Sequence, residues 1–308
     1  MEPLIIKPIP PYDFDLSLAF LSRDDKHPAP DLKNGNNLLR IFRVNDREIP
    51  VKISSAGDVE RPVLKIFTTE LSSEERTELK EKTEEYLNLN DDLTGLYAFM
   101  EKDERLMEIK RHLYGFRVPM IGTTMFEEII KAIIQQQISG RIAFYIASRV
   151  IKELGKCITF KDEQYYDFPH PNIFANISIN KLSAYGISQR RAEYIINFSK
   201  EVVNNNFNPE EIRKWDYENI IKTLTRFKGI GKWTAEYIAA TLGKGCGPAD
   251  DLGLKRSISD LLSPNTNQSN TQKSCDIREV ITKFPKGLAV YIVYAGRKGI
   301  LKRLKTIE

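Results

Sequence analysis

The chain has 308 residues, 41% of them hydrophobic, with 46 Lys and Arg against 42 Asp and Glu and a net charge of +4. That length and composition suit two ordinary domains with real cores. No apolar run reaches membrane-spanning length, and the N-terminus MEPLIIKPIPPYDFDL carries acids and prolines where a signal peptide would be basic and then apolar, so an intracellular protein is expected.

Cys157, Cys246 and Cys275 are too few and too scattered for a disulfide framework or a zinc site. Charge is unevenly distributed. Residues 1 to 95 hold 13 basic and 19 acidic side chains, a net of −6, which leaves 33 and 23, a net of +10, for residues 96 to 308. A basic C-terminal half suits a surface that faces nucleic acid, although a solvated lysine-rich helical face gives much of the same excess.

In chain order, LLRIFRV (38–44), REIPVKIS (47–54) and RPVLKIFTT (61–69) are short runs rich in β-branched residues. Asn34-Gly35, Asn45-Asp46 and Gly57-Asp58 punctuate them as turns, which predicts an antiparallel sheet. LSSEERTELKEKTEEYL (71–87) then reads as a helix, opened by Ser72 and Glu75 in capping-box spacing. From about Asp91 the sequence turns helical with almost no strand signal. Phe126, Ile130, Ile133 and Ile134, then Ile138, Ile142, Ile146 and Val150, recur at helical intervals around a polar interruption. Further helices are expected at 180–185, 188–204, 209–214, 217–226, 233–242, 252–262, 274–283 and 286–298, with a polar loop at 263–274. The expected architecture is α+β: an N-terminal antiparallel-sheet domain with helices over residues 1–90 and an all-helical domain over 91–308.

The most informative stretch is LTRFKGIGKWTAEYIAATLGKGCGPADDLGLKR, from Leu224 to Arg256. Gly229 and Gly231 bracket Ile230 inside an otherwise helical pattern, which describes a tight hairpin whose backbone comes close to a ligand. Exposed backbone N–H groups, Thr234 at the start of the next helix, and Lys228 and Lys232 alongside make that ligand an anion, a phosphate rather than a base edge. Further on, Asp250 and Asp251 stand at the start of another helix, where either could simply be the cap.

This stretch resembles the helix-hairpin-helix DNA glycosylases, and F-x-G-I-G-K-W-T-A followed by D-x-x-x-K-R is most similar to the 3-methyladenine DNA glycosylase II (AlkA) type. Pro10-Pro11-Tyr12-Asp13-Phe14 and the helix-like LSLAFLS resemble the opening of that type, extending the likeness over nearly the whole chain. The resemblance implies a DNA repair enzyme, monomeric, that extrudes damaged bases, chiefly alkylated purines, from double-stranded DNA and hydrolyses the N-glycosidic bond. A prokaryotic enzyme of this kind would be cytoplasmic, at the nucleoid.

Asp251 lies 18 residues beyond Trp233, with Lys255 and Arg256 in the family phase, so the resemblance makes it the catalytic carboxylate and leaves Asp250 as runner-up, cap or neighbour. An ionised carboxylate beneath the sugar stabilises the positive charge that develops as the base departs, and a helix start favours the ionised form. Where strand-cutting relatives carry a nucleophilic Lys, this chain has Trp233. Lys232 is one helical step of about 100° away and is expected on the DNA backbone, so a monofunctional enzyme using water follows. The hairpin contacts are expected from Phe227, Lys228, Gly229, Ile230, Gly231, Lys232 and Thr234.

Gln135-Gln136-Gln137, taken as helical, matches the segment that fills the gap left by the extruded base, with Gln136 and Gln137 as the wedge. Three Gln can equally mark a solvent-facing turn, and the family wedge is more often apolar. Trp233 and Tyr237 share a helix face and, with Phe284, are the aromatics the resemblance assigns to the base pocket, although such spacing also suits a core. Three cysteines exclude the four-cysteine iron–sulfur cluster of some relatives. Side chains imply no metal, and the resemblance points to a monovalent cation on the hairpin backbone carbonyls. His27, His112 and His170 are scattered and read as surface or capping residues. The competing readings are an oxidised-purine (8-oxoguanine-type) glycosylase with lyase activity, and a non-catalytic protein using the hairpin only as a DNA clamp.

Overall fold

A computed structural model describes residues 2–21, 30–45, 47–245, 247–248, 250–262, 280–281 and 283–304. Five strands, β1 (Leu4–Ile6), β2 (Leu32–Asn34), β3 (Asn37–Val44), β4 (Arg47–Ser55) and β5 (Leu64–Phe67), form one antiparallel sheet in the order β1-β5-β4-β3-β2. Two-residue turns set the register: Asn34 pairs with Asn37 across Gly35 (φ 58°), and Val44 pairs with Arg47 across a turn that starts at Asn45 (φ 45°). All three predicted turn sites lie between antiparallel partners, Gly57-Asp58 between β4 and β5.

Two helices accompany the sheet, α1 (Phe14–Leu21) and α2 (Ser73–Tyr86). The capping box at α2 forms as read: the Glu75 amide donates to Ser72 Oγ at 3.1 Å, and the Ser72 amide donates to Glu75 Oε2 at 2.8 Å.

The remaining chain is mostly helical: α3 (Thr94–Met100), α4 (Glu104–His112), α5 (Met125–Gln135), α6 (Gly140–Leu154), α7 (Pro171–Asn176), α8 (Ile179–Ser183), α9 (Gln189–Val203), α10 (Tyr217–Leu224), α11 (Lys232–Thr241), α12 (Leu252–Leu262), α13 (Leu288–Arg297) and α14 (Ile300–Leu304). The predicted helix at 209–214 is instead a 3-10 turn, Pro209–Lys214, opened by Asn208, whose side chain accepts from the Glu210 amide. The helix expected at 274–283 and the loop at 263–274 lie mostly or wholly outside the described residues.

One feature departs from the sequence reading. A two-stranded hairpin, β6 (Cys157–Phe160) and β7 (Glu163–Tyr166), interrupts the helices. Its turn is Lys161-Asp162, both at positive φ (49° and 63°), and it lacks the Asn-Gly or Asp-Gly signal that marks such turns. Ile158, Phe160 and Tyr165 pack with Leu32, Leu39 and Ile41, covering the outer face of β3. On the same face Arg43 donates to Asp167 Oδ2 and to the Phe168 carbonyl, each at 2.6 Å. With a layer on each side, β3 is buried almost throughout and reads as a continuous apolar run rather than an alternating one.

The chain divides into two compact units, Met1–Asp91 with Gly115–Trp215 and Thr223–Ile230, and Asp92–Tyr114 with Asp216–Lys222 and Gly231–Glu308. In the first, α5 is the central helix, buried at every residue from Met125 to Ile134. Two of its charged residues, Glu127 and Lys131, are paired. Glu127 forms ion pairs with Arg40 of β3 and with Lys131, the latter at 2.6 Å. Arg40 is also 3.4 Å from Asp31, which accepts from Tyr86. Burial alone would raise the Glu127 carboxyl, but Arg40 and Lys131 overcome it and hold it down at about 2.

Its neighbour Glu128 has the opposite fate. Burial pushes its carboxyl up to about 8, and Glu127 adds to the push while Lys131 opposes it. The usual value is 4.5, so the unfolded chain ionises first and the folded state loses stability as pH climbs from about 4.5 through 8. Glu128→Gln should remove that loss, making the variant roughly 2–5 kcal/mol less pH-sensitive than wild type across the window. Denaturant unfolding at pH 5 and pH 8 measures it; parallel pH profiles for the two proteins would contradict it.

Candidate active site

The hairpin between α10 and α11 closes by two short backbone bonds, Phe227 N to Leu224 O at 3.1 Å and Ile230 N to Phe227 O at 3.0 Å. Gly229 has φ +91°, and a Cβ there would overlap the ring of Tyr194 on α9, so the fold itself demands glycine at this point. Ile230 is buried, and the Phe227 ring packs edge-on to Phe198 and tilted to Phe207, with centroids 5.1 and 4.9 Å away. Both side chains thus point inward and anchor the turn. Any contact they make with a ligand runs through their backbone.

Gly231 differs. Its φ of −88° suits any residue, and a Cβ there would meet nothing within 4 Å. Gly231 is also the N-cap of α11, with no side-chain cap, so the amides of Lys232, Trp233 and Thr234 include the donors that a helix leaves unsatisfied in its first turn. The Thr234 side chain is buried, which limits it to the same backbone role. Lys228 and Lys232 are exposed beside this opening; Lys228 lies 2.8 Å from Glu193 and Lys232 3.8 Å from Glu236.

The segment Gln135-Gln136-Gln137 is not a continuous helix, contrary to expectation. α5 ends at Gln135, Gln137 takes a left-handed φ of 55°, and Ser139 caps α6 by accepting from the Ile142 amide. Ser139 competes with the backbone ladder and starts a new helix, so the glutamines become the joint. Gln137 is exposed at the tip. Gln136 is half-buried, and its side-chain amide donates to the Gly229 carbonyl at 2.7 Å.

Asp251 and Asp250 separate cleanly. Asp251 is partly exposed, and its Oδ1 accepts from the Leu254 amide at 2.8 Å, which makes it the cap of α12. Asp250, expected as the cap, is exposed and lies 3.1 Å from Lys255 Nζ. Among the described residues, Oδ2 of Asp251 takes no hydrogen bond. The cap fixes the carboxylate's orientation and leaves one oxygen able to act on a ligand.

Trp233 and Tyr237 stack on α11 with centroids 5.6 Å apart and planes 10° apart, both partly exposed. Phe284 stands apart from this pair: it lines a groove of about 320 Å³ with Phe99, Leu106, Ile258 and Leu261, whose walls do not include Trp233 or Tyr237. A residue that the sequence did not single out also emerges. Glu236 is buried on α11, and Tyr217 donates to it at 3.4 Å.

His170 joins Glu48 and Asp167 in a cluster with ligand atoms within 4.8 Å of one another. Arg43 already occupies Asp167, and Lys156 and His170 occupy Glu48, so the group is a charge network rather than a metal cage. His112 is exposed beside Glu108, and His27, Cys246 and Cys275 lie outside the described residues. Cys157 is a free thiol. The hairpin carbonyls of Leu224, Phe227 and Gly229 each accept one hydrogen bond within the protein; a monovalent cation would share them through their second lone pairs.

A glycine hairpin opening on an uncapped helix start, with an oriented carboxylate at the head of a following helix, defines a helix-hairpin-helix DNA repair enzyme. The model of the HhH-GPD superfamily base excision DNA repair proteins matches residues 130–283. The structure of a 3-methyladenine DNA glycosylase from Archaeoglobus fulgidus superposes with a TM-score of 0.83 at 30% identity, covering 95% of this chain and 98% of that one. The DNA-3-methyladenine glycosylase of Bacillus subtilis is 24% identical over 82% of this chain and 84% of its own length. Escherichia coli DNA-3-methyladenine glycosylase 2 is 34% identical over 41% of this chain and 43% of its own. The chain belongs to the HhH-GPD superfamily of base excision DNA repair proteins.

The two hairpin glycines should fail differently. Gly229→Ala should lower stability by roughly 1–3 kcal/mol through strain and overlap. Gly231→Ala should stay within about 1 kcal/mol of wild type yet bind duplex DNA about 5- to 10-fold more weakly, because a methyl group would stand where phosphate meets the backbone. Thermal melting and duplex titration separate the two, and wild-type binding by Gly231→Ala would refute the assignment.

Proposed function

We propose that the chain is a monofunctional DNA-3-methyladenine glycosylase that extrudes alkylated purines from double-stranded DNA and hydrolyses their N-glycosidic bond. Residues 1–90 serve as an accessory domain and residues 91–308 as the glycosylase domain. The enzyme acts as a monomer on chromosomal DNA inside the cell. Among the described residues no helix is long and apolar enough to cross a membrane.

The observation that carries this reading is Asp251. Its Oδ1 is held by the Leu254 amide at the start of α12. The carboxylate then stabilises the positive charge that develops on the sugar as the base leaves, and orients the water that replaces it. An N-alkylated purine is already cationic and departs with little protonation, so a single carboxylate suffices. The stacked faces of Trp233 and Tyr237 offer the electron-rich surface to which such a base is attracted, and Phe284 has no part in that stack.

The hairpin backbone from Lys228 to Thr234 holds phosphates beside the lesion, and Gln137 fills the space the base vacates. Trp233 stands where a lyase would carry its amine, and the exposed Lys232 is left to the DNA backbone beside Glu236. No side-chain metal enters the reaction.

Release of 3-methyladenine from methylated duplex DNA should fall roughly 10²- to 10³-fold in Asp251→Asn, with lesion binding retained. Borohydride should trap no covalent DNA adduct with the wild-type protein. Undiminished release by the variant, or a trapped adduct, would overturn the mechanism.

A further inference from the structure

We propose that Gln136 is a positioning residue, not a wedge: it ties the loop that presents Gln137 to the Gly229 apex of the hairpin, so that wedge and hairpin apex act as one body. The inference rests on the reading of Gln137 as the wedge. Three links, all within the first compact unit, carry it.

The first is the 2.7 Å bond from Gln136 Nε2 to the Gly229 carbonyl. It commits the Gln136 amide to the protein and leaves the exposed Gln137 as the side chain offered outward. The second is Arg191 of α9, whose Nη1 donates to the Ile134 carbonyl at 2.9 Å. That carbonyl lies in the last turn of α5, where the helix's own donors have run out because the chain turns at Gln137. The third is Tyr194, one turn further along α9, whose ring lies so close to Gly229 that no Cβ fits between them. Arg190 donates to the Tyr194 hydroxyl and holds that ring in place.

One turn of α9 therefore grips the base of the wedge loop and the apex of the hairpin, while Gln136 joins the two directly. The mechanics require such a brace. Extruding a base means pushing into the stack while the flanking phosphates are held, and a wedge on a compliant loop would yield instead of pushing. Gln137 itself takes a left-handed φ of 55°, unusual for a residue with a side chain, directly after Gln136, which its bond to Gly229 holds in place.

The test compares single-turnover base release from a methylated duplex and from the same lesion in single-stranded DNA, where nothing has to be unstacked from a partner strand. Gln136→Leu supplies bulk without a donor, Gln136→Met keeps the length without a donor, and Gln137→Ala and Gln137→Leu probe the tip. Loss of one hydrogen bond should slow both Gln136 variants about 3- to 10-fold on duplex and leave the single-stranded rate unchanged. Gln137→Ala should slow on duplex, and Gln137→Leu should slow less, because a wedge acts through its bulk. Gln136→Leu at the wild-type duplex rate overturns the proposal by making Gln136 dispensable. Equal slowing of both Gln136 variants on the two substrates overturns it by making Gln136 merely structural. If Gln137→Ala is as fast as wild type on duplex, the wedge reading itself fails and the brace has nothing to position.

Discussion

A guanidinium and a carboxylate buried together at the head of α5 set the geometry on which the first compact unit depends. Arg40 projects from a strand that is covered on both faces, and Glu127 belongs to a helix with no exposed residue until Gln135. Neither charge could remain there alone, because an unpaired buried ion costs several kcal/mol. Burial would lower the Arg40 guanidinium, yet Glu127 and Asp31 together hold it above its ordinary value. The pair therefore fixes the rotation of α5 against the sheet. The sheet thus acts as the seat of the helix whose far end carries the Gln136-Gln137 joint.

The hairpin shows how two identical residues can have unrelated causes. Gly229 is required by the protein, since its dihedral and the Tyr194 ring both exclude a side chain. Gly231 has an ordinary dihedral and empty space around it, so the fold itself places no requirement for glycine there. The same separation runs through the chemistry. In the function proposed above, backbone amides and lysines hold an anion and carry no information about the base, whereas Asp251, oriented by its own helix cap, is the group assigned to supply the charge that bond cleavage needs.

Much of this was legible in the sequence, and for local reasons. Turns at Gly35 and Asn45, the Ser72 capping box and the glycine hairpin are all encoded within four residues of where they act. The pairing of Trp233 with Tyr237 also follows from helical spacing. What escaped detection depends on contacts between residues far apart in the chain. The β6–β7 hairpin is stabilised by packing on Leu39 and Ile41 rather than by its own turn. The break after Gln135 follows from Ser139 capping the next helix, and Gln136 gains its meaning only from a carbonyl 93 residues away. Asp251 rather than Asp250 caps α12, a choice between neighbours that spacing alone cannot make.

The central claim is that gripping and extruding the base are physically separate from breaking its bond. The most direct measurement follows both in one protein: the fluorescence of a base analogue placed beside a lesion, recorded with base release, in Asp251→Asn. The account predicts the wild-type extrusion signal with release slowed roughly 10²- to 10³-fold. Loss of the extrusion signal together with release, or retention of both, would contradict it.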